Sequence, residues 1–480
     1  MSDSAYIATP RPRPGVGVPA FLLPVAIAGS AVLLGILAAI RPELALAGIL
    51  GLILAPIIFA RPIIGLCALV FMSFLETYSG LAGVVSVTKL IGAILILAWL
   101  GVAATSKSRD WSNRGLVSRE PLLSAALVLF TGWAAASLAW AEAPSAALSS
   151  VLRYALNFAL FPIAIIAIRN RGHVLWLVGT FLAGAFVVVS LGVLDGSIQS
   201  SSSEDRLSAA GVNPNQLGTY LVVVVIVAAT LTANRRWSPT SRAAVFAITA
   251  LGGIAVLMTL SRGALMGLAA ALILAPLAIG RGRRAIALFF VVIAVVGTVA
   301  FYAALAPAGS VQRVTHPGRG GGTGREDLWR VGWRMVRDKP VAGVGAGNFP
   351  VSSVHYLLRP GKTERDEIIV DKQKVAHNIY LTVLSELGTI GFALFAVILG
   401  QCLIRARHAA RLFRDRGDLT MELVARGLFL ALISLFVADF FSSALYSKQL
   451  WLLLAIAPAL VAVANRSEVS AADLRPLPRH

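Results

Sequence analysis

The sequence predicts an all-α fold, a polytopic integral membrane protein of about 14 transmembrane helices, within a range of about 12 to 14. Composition is the first reason. Of 480 residues, 57% are hydrophobic and only 14% charged, whereas a soluble domain carries about 25% charged residues. The second is length: apolar runs of about 17 to 25 residues, enough to cross a hydrocarbon core of roughly 30 Å, recur from Ala20 to Ala464. The third is the alternation of cation-rich and cation-poor connecting segments.

Taken in order, the expected spans are 20–40, 43–60, 63–78, 84–104, 122–141, 147–168, 173–194, 215–234, 243–260, 263–280, 285–305, 377–404, 422–441 and 449–465. They form one membrane domain over 1–480, divided by a long polar loop at 306–375. Pro56 and Pro62 interrupt the second and third spans, and Arg426 stands near the start of the thirteenth. The first apolar run is too long for a signal peptide and continues directly into the second, so no cleavable signal is expected.

The net charge of +19 would suggest nucleic acid as a partner if it formed one patch. It does not. With the N-terminus inside, the cytoplasmic segments hold clusters such as Lys107 to Arg119, Arg235 to Arg242, Arg281 to Arg284 and Arg405 to Arg416, while the short outer loops hold Arg41, Arg206, Arg262 and Lys448. This bias places both termini in the cytoplasm. The expected surroundings are a lipid bilayer, and nucleic acid drops out. Cys67 and Cys402 fall inside spans and read as small core residues. No histidine and carboxylate spacing resembles a metal site, so neither a metal nor another cofactor is expected.

The extracytoplasmic loop departs from the bias, carrying a dense series of cations from Arg313 to Lys374. Long loops cross regardless of charge, so these residues ask for an anionic partner. Within the loop, 320–324 is a glycine-rich hinge, and Thr323 with Glu326 has capping-box spacing for a helix that Lys339-Pro340 would end near Asp338. Trp329, Trp333 and Val336 share one stripe of that helix, and Arg330, Arg334 and Arg337 another. One reading lays it in the membrane interface with indoles toward the acyl region. The other uses Arg325 and its neighbours Arg330 and Arg334 to grip a pyrophosphate, a task suited to the fixed fork of guanidinium donors.

Val341 to Phe349 is a glycine-rich turn that serves either a phosphate or a reversal of the chain over the site. His377 then opens a helix containing Glu386, Gly388 and Gly391. Beside arginines a neutral imidazole would stay available as a proton acceptor near neutral pH. His173 and His408 fall on cytoplasmic edges, His480 is terminal, and His316 and His355 lie in the loop without flanking structure. Arg262, a lone guanidinium in its loop on the side with few cations, reads better as an anion ligand than as a snorkelling anchor. Asn213-Pro214-Asn215 forms a helix start whose amides suit sugar hydroxyls, with Asn378 as a further amide after His377. Lys89, Glu76 and Asp439 sit near the outer ends of their spans, where they would pair with one another or line a substrate groove.

Ser261-Arg262-Gly263-Ala264, Gly324-Arg325 with Trp329, Gly343-Val344-Gly345 with Asn348-Phe349, and His377-Asn378 followed by Gly388 and Gly391 together resemble the O-antigen ligase and polymerase superfamily of bacterial envelopes. The likeness is densest over 210–400, which would be the catalytic region. What it implies is an inverting, metal-independent glycosyltransferase of the bacterial cytoplasmic (inner) membrane. Such an enzyme takes a glycan from undecaprenyl pyrophosphate to a hydroxyl of a glycan, lipid or protein acceptor, with the active site facing outside. His377, Arg262 and Arg325 would be catalytic; Arg330, Arg334, Asn213, Asn215, Asn378 and Lys89 would bind substrate. The alternative is a transporter or flippase of a lipid-linked anionic saccharide, which calls for broken helices and ionisable groups at mid-membrane.

Overall fold

The computed structural model describes residues 32, 35–36, 38–75, 87–105, 115–194, 198–201, 204–207, 213–304, 306, 325–357 and 375–473. It is a helical bundle. The helices are α1 (Pro42–Ala60), α2 (Pro62–Leu75), α3 (Val87–Thr105), α4 (Pro121–Ala136), α5 (Pro144–Phe158), α6 (Leu160–Ala167) and α7 (Arg171–Leu194). After a short antiparallel hairpin, β1 (Ile198–Ser201) and β2 (Glu204–Leu207), come α8 (Pro214–Thr232), α9 (Pro239–Met258), α10 (Arg262–Ala278) and α11 (Arg284–Ala304). Two loop helices follow, α12 (Arg325–Asp338) and α13 (Phe349–Leu357), then α14 (Ile379–Asp415), α15 (Leu419–Ala438) and α16 (Lys448–Asp473).

Among the described residues, ten helical stretches are long and apolar enough to cross a membrane, and Gly48–Ala60, Pro62–Leu75 and Arg262–Ala278 are shorter apolar helices. The expected first span, 20–40, lies mostly outside the described residues. Helix starts follow local chemistry: Pro fills the first turn of α1, α4, α5, α8 and α9, where its missing N–H leaves no bond unmade. Asn213, Ser238, Ser261, Asn378 and Asp418 cap their helices through side-chain oxygens.

The helices α8, α14, α15 and α16 form the buried centre, with α15 packed on α8, α10 and α14. Helices α10 and α11 turn bulky residues outward, Leu277 at 72% and Val299 at 64% exposure, as a lipid-facing surface requires. One end of the bundle is tied by arginines. Arg283 and Arg426 share the Glu422 carboxylate at 3.0 and 2.8 Å, and Arg466 donates to the carbonyls of Ile165 and Ile168.

Two departures from the expected helices reach the functional end. The span expected at 377–404 runs on to Asp415, and its first turns are set off by Gly388, whose backbone is non-helical at φ 65°. The break frees carbonyls that must find donors. Val344 N–H donates to Ser385 O at 3.0 Å, Gly345 N–H to Glu386 O at 2.8 Å, and the Trp133 indole to Leu387 O at 2.8 Å. A Cβ on Gly388 would collide with the carbonyl of Val341, and one on Gly343 with that of Glu386. The glycine-rich segment is therefore a tight turn locked onto α14.

The second departure concerns α12. Its buried stripe is Leu328, Val331, Met335 and Val336, packed with Phe349 and Leu381, so the helix docks on protein rather than resting on acyl chains by its indoles. Trp333 is 52% exposed. Trp329 instead meets Phe440 edge-on at 5.5 Å and donates its indole N–H to Ala376 O at 2.9 Å. The expected cap at Thr323 lies outside the described residues.

Candidate active site

At the end of the bundle where α8, α10 and α12 begin, Asn215, Ser261, Arg262, Gly263, Arg325 and Ser442 line a small pocket of about 70 Å³. Arg262 is the first residue of α10, and Arg325 the first of α12. Three helix N-termini thus converge, each presenting N–H groups and the positive end of its dipole. Two guanidiniums add formal charge. The arrangement suits an anion with several oxygens, such as a pyrophosphate. Ala438, the last residue of α15, also lines the pocket and is followed in the chain by the fully buried Asp439.

His377 joins this pocket by two routes. Its Nδ1 lies 2.7 Å from the Ser443 hydroxyl, and Ser443 follows the pocket residue Ser442. Its chain neighbour Ala376 takes the hydrogen bond from Trp329, one helical turn beyond Arg325. The backbone at His377 has φ 50°, a left-handed conformation that costs a non-glycine residue on the order of 1 kcal/mol. Asn378 holds it there, its Oδ1 accepting from the N–H groups of Tyr380 and Leu381 at 3.0 and 3.1 Å.

The structure brings Arg262, Arg325 and Asn215 to one pocket and links His377 to its wall. The other expected site residues stand outside it. Asn213 is exposed and caps α8, accepting from Asn215 N–H at 2.9 Å. Asn378 is buried, with its carbonyl oxygen spent on capping α14. Arg330 pairs with Asp327 at 3.1 Å and Arg334 donates to Tyr356 O at 3.0 Å, so both secure the loop. Lys89 is exposed on α3, beside Thr88, which accepts from Lys448 Nζ at 3.0 Å. Glu76 lies outside the described residues.

Sequence reasoning missed Ser442, Ser443 and Thr219, which complete the pocket and the histidine contact. The Ser-Ser pair between two spans was a signal, but hydroxyls are too common for it to single them out. Glu386 was seen without its partners: its carboxylate accepts from Gly347 N–H at 2.7 Å and Phe349 N–H at 3.2 Å. No set of three His, Cys, Asp or Glu side chains among the described residues is placed to hold a metal ion.

Residues 247–396 match the family model for the O-antigen ligase. The match runs from α9 into α14 and takes in Arg262, Arg325, the glycine turn and His377. Over those residues the chain is similar to the O-antigen ligase family. No curated protein matches it. Within the matched residues, the two arginines at helix starts and the histidine at the start of α14 come from three separate segments, and the interlock of the glycine turn with α14 holds the loop helices against the membrane bundle.

Proposed function

We propose that the protein is an inverting, metal-independent glycosyltransferase that moves a glycan from undecaprenyl pyrophosphate to an acceptor hydroxyl on the outer face of the cytoplasmic membrane. The observation that carries this is the convergence of Arg262 and Arg325 on one pocket whose wall is joined to His377. In the tautomer whose Nδ1–H donates to Ser443, Nε2 carries the lone pair. It accepts the proton of the acceptor hydroxyl as that oxygen attacks the anomeric carbon. The bond from the anomeric carbon to the pyrophosphate oxygen breaks on the opposite face, which inverts the centre, and its electron pair leaves as pyrophosphate charge facing Arg262 and Arg325. General-base help is worth about 10²–10⁴ in rate, and losing one donor to a developing oxyanion typically removes about 10²–10³.

A larger cavity supports a donor with an apolar half. A cavity of about 920 Å³ between α8, α9, α10 and α11 is lined almost wholly by apolar side chains, and Leu260 lines both it and the arginine pocket. The cation bias of the connecting segments supports an outward-facing pocket and cytoplasmic termini. The test is transfer from undecaprenyl-pyrophosphate oligosaccharide in proteoliposomes. Product formation that needs His377 is expected. Movement of the lipid-linked sugar between leaflets with no covalent transfer would replace this reading with a transporter.

A further inference from the structure

A second polar cavity flanks the arginine pocket. It encloses about 220 Å³ between α2, α7, α8 and the start of α16, lined by Phe74, Gln216, Tyr220, Tyr446, Ser447, Lys448 and Gln449 among others. We propose that this cavity is a sugar subsite that seats one pyranose ring of the glycan substrate. Assigning that ring to a transferred glycan rests on the glycosyltransferase reading above; the binding of a sugar does not.

The chemistry of the lining points there. Two side-chain amides, four hydroxyls and one ammonium line the space together with aromatic rings, and among the described residues no carboxylate does. Amides and hydroxyls both donate and accept, which is what a ring of hydroxyls needs. They are also held in place. Gln216 Nε2 donates to the Tyr220 hydroxyl at 2.9 Å, which lies 2.6 Å from the Ser447 hydroxyl; Ser447 donates to Gln449 Oε1 at 3.1 Å, and Gln449 Nε2 to Ser73 O at 2.8 Å. A relay of this kind fixes each group before a ligand arrives. The rings of Phe74 and Tyr220 meet edge-on at 6.3 Å, giving the cavity a rigid aromatic corner.

Size and position agree. A cavity of about 150 Å³ holds a benzene molecule, so 220 Å³ admits a six-membered ring with polar substituents. Gln216 follows Asn215, which lines the arginine pocket, so the first turn of α8 is the partition between the two spaces. Ser442 and Ser447 lie at the two ends of one connecting segment and reach one cavity each. A sugar in the second cavity would therefore be a near neighbour of a pyrophosphate in the first.

The test is saturation-transfer NMR on the full chain in lipid nanodiscs, with methyl glycosides of glucose, galactose, mannose, N-acetylglucosamine and glucuronic acid as probes. At least one glycoside is expected to receive saturation, and Gln216→Leu and Lys448→Met are each expected to reduce it at least fivefold. Leu277→Ala, on the lipid-facing side of α10, should leave it unchanged, and Lys448→Arg should recover part of it. Circular dichroism melting identifies a variant that has lost its fold, in which case Ser447→Ala supplies the same comparison. Saturation of no probe, or saturation that survives Gln216→Leu, Lys448→Met and Ser447→Ala in folded protein, overturns the subsite. Because no turnover is needed, a protein that binds a glycoside but transfers nothing would refute the glycosyltransferase reading and keep the subsite; transfer without saturation would do the reverse.

Discussion

The carboxylate of Glu386, in the membrane helix α14, accepts the backbone N–H of Gly347 at 2.7 Å, from a turn 39 residues earlier in the chain. A second bond from Phe349 N–H, at 3.2 Å, makes the same carboxylate the cap of α13. One buried side chain thus fastens the loop between α11 and α14 to the break in α14. An intramolecular hydrogen bond contributes about 0.5–1.5 kcal/mol net, and a buried N–H left without one costs a further penalty of about 1–3 kcal/mol. Glu386→Ala should lower the melting temperature markedly and reduce transfer in proportion to the loss of folded protein. Unchanged melting would remove the carboxylate from this role.

Gly388→Ala tests the other side of the interlock. The new methyl group meets the Val341 carbonyl, and alanine at positive φ adds strain of about 1–3 kcal/mol. The expected result is a protein that melts earlier and in which a protease cleaves the 306–375 segment faster. Gly297→Ala, in α11 with open space around its Cα, should be neutral or slightly stabilising.

His377→Asn separates chemistry from backbone. Asparagine tolerates the left-handed region better than most residues but offers no base. Loss of about 10²–10⁴ in kcat is expected, with melting temperature and donor KM near wild type. Ser443→Ala should act through the histidine, lowering kcat about tenfold and displacing its pH profile while KM holds, as expected of a positioning residue. If Ser443→Ala leaves the profile in place, the 2.7 Å contact is structural.

Arg325→Lys keeps the charge and loses the planar fork. A bidentate pyrophosphate ligand should respond with a clear fall in kcat, smaller than the roughly 10²-fold or greater fall of Arg325→Ala. Arg262→Ala should resemble Arg325→Ala. The double variant should lose less than the product of the single losses, because both groups act on one leaving group. Full turnover by Arg325→Ala would dissolve the clamp.

Acid should loosen the loop. Glu142 stands between α4 and α5, where it accepts from Ser352 at 2.9 Å and meets His355 Nε2 at 2.6 Å, both on α13. Burial pushes its carboxyl up, but those two hydrogen bonds and the charges of His355 and Lys339 outweigh it and leave the group below the usual 4.5. A carboxyl held low in the folded state stabilises it above the ordinary value and loses that contribution as pH falls through the folded value. Wild-type melting temperature should therefore drop more steeply than that of Glu142→Gln on acidification below pH 4.5. Parallel curves would show that the bridge contributes nothing.

The membrane helices were legible because lipid leaves the chain few options: apolar length must match hydrocarbon thickness and backbone groups must pair internally. The span expected at 173–194 is found at Arg171–Leu194, and the one at 215–234 at Pro214–Thr232. Arg262 and His377 were legible as odd polar groups at helix starts. The face of α12 was not. Periodicity put tryptophans on one stripe and arginines on another, yet the buried stripe is set by Phe349 and Leu381, which the sequence places far away. The same holds for Asn378, Arg330 and Arg334, whose partners decide whether an amide or guanidinium is available to a substrate. The break at Gly388 escaped notice because a glycine in an apolar run is common, and only the carbonyl of Val341 shows why no other residue fits there.

Leu260 is buried, with its backbone at φ 48°, in the turn between α9 and α10, one side facing an oily chamber and the other a cationic one. In the proposed reaction that wall works as a depth gauge. A donor engages both chambers only if its switch from hydrocarbon to phosphate falls at the height of this one residue. A water-soluble nucleotide sugar has nothing to anchor beneath it, and a lipid whose headgroup rides higher leaves the arginines unfilled. Selection among donors would then begin with where a molecule floats in the leaflet, before any sugar is inspected.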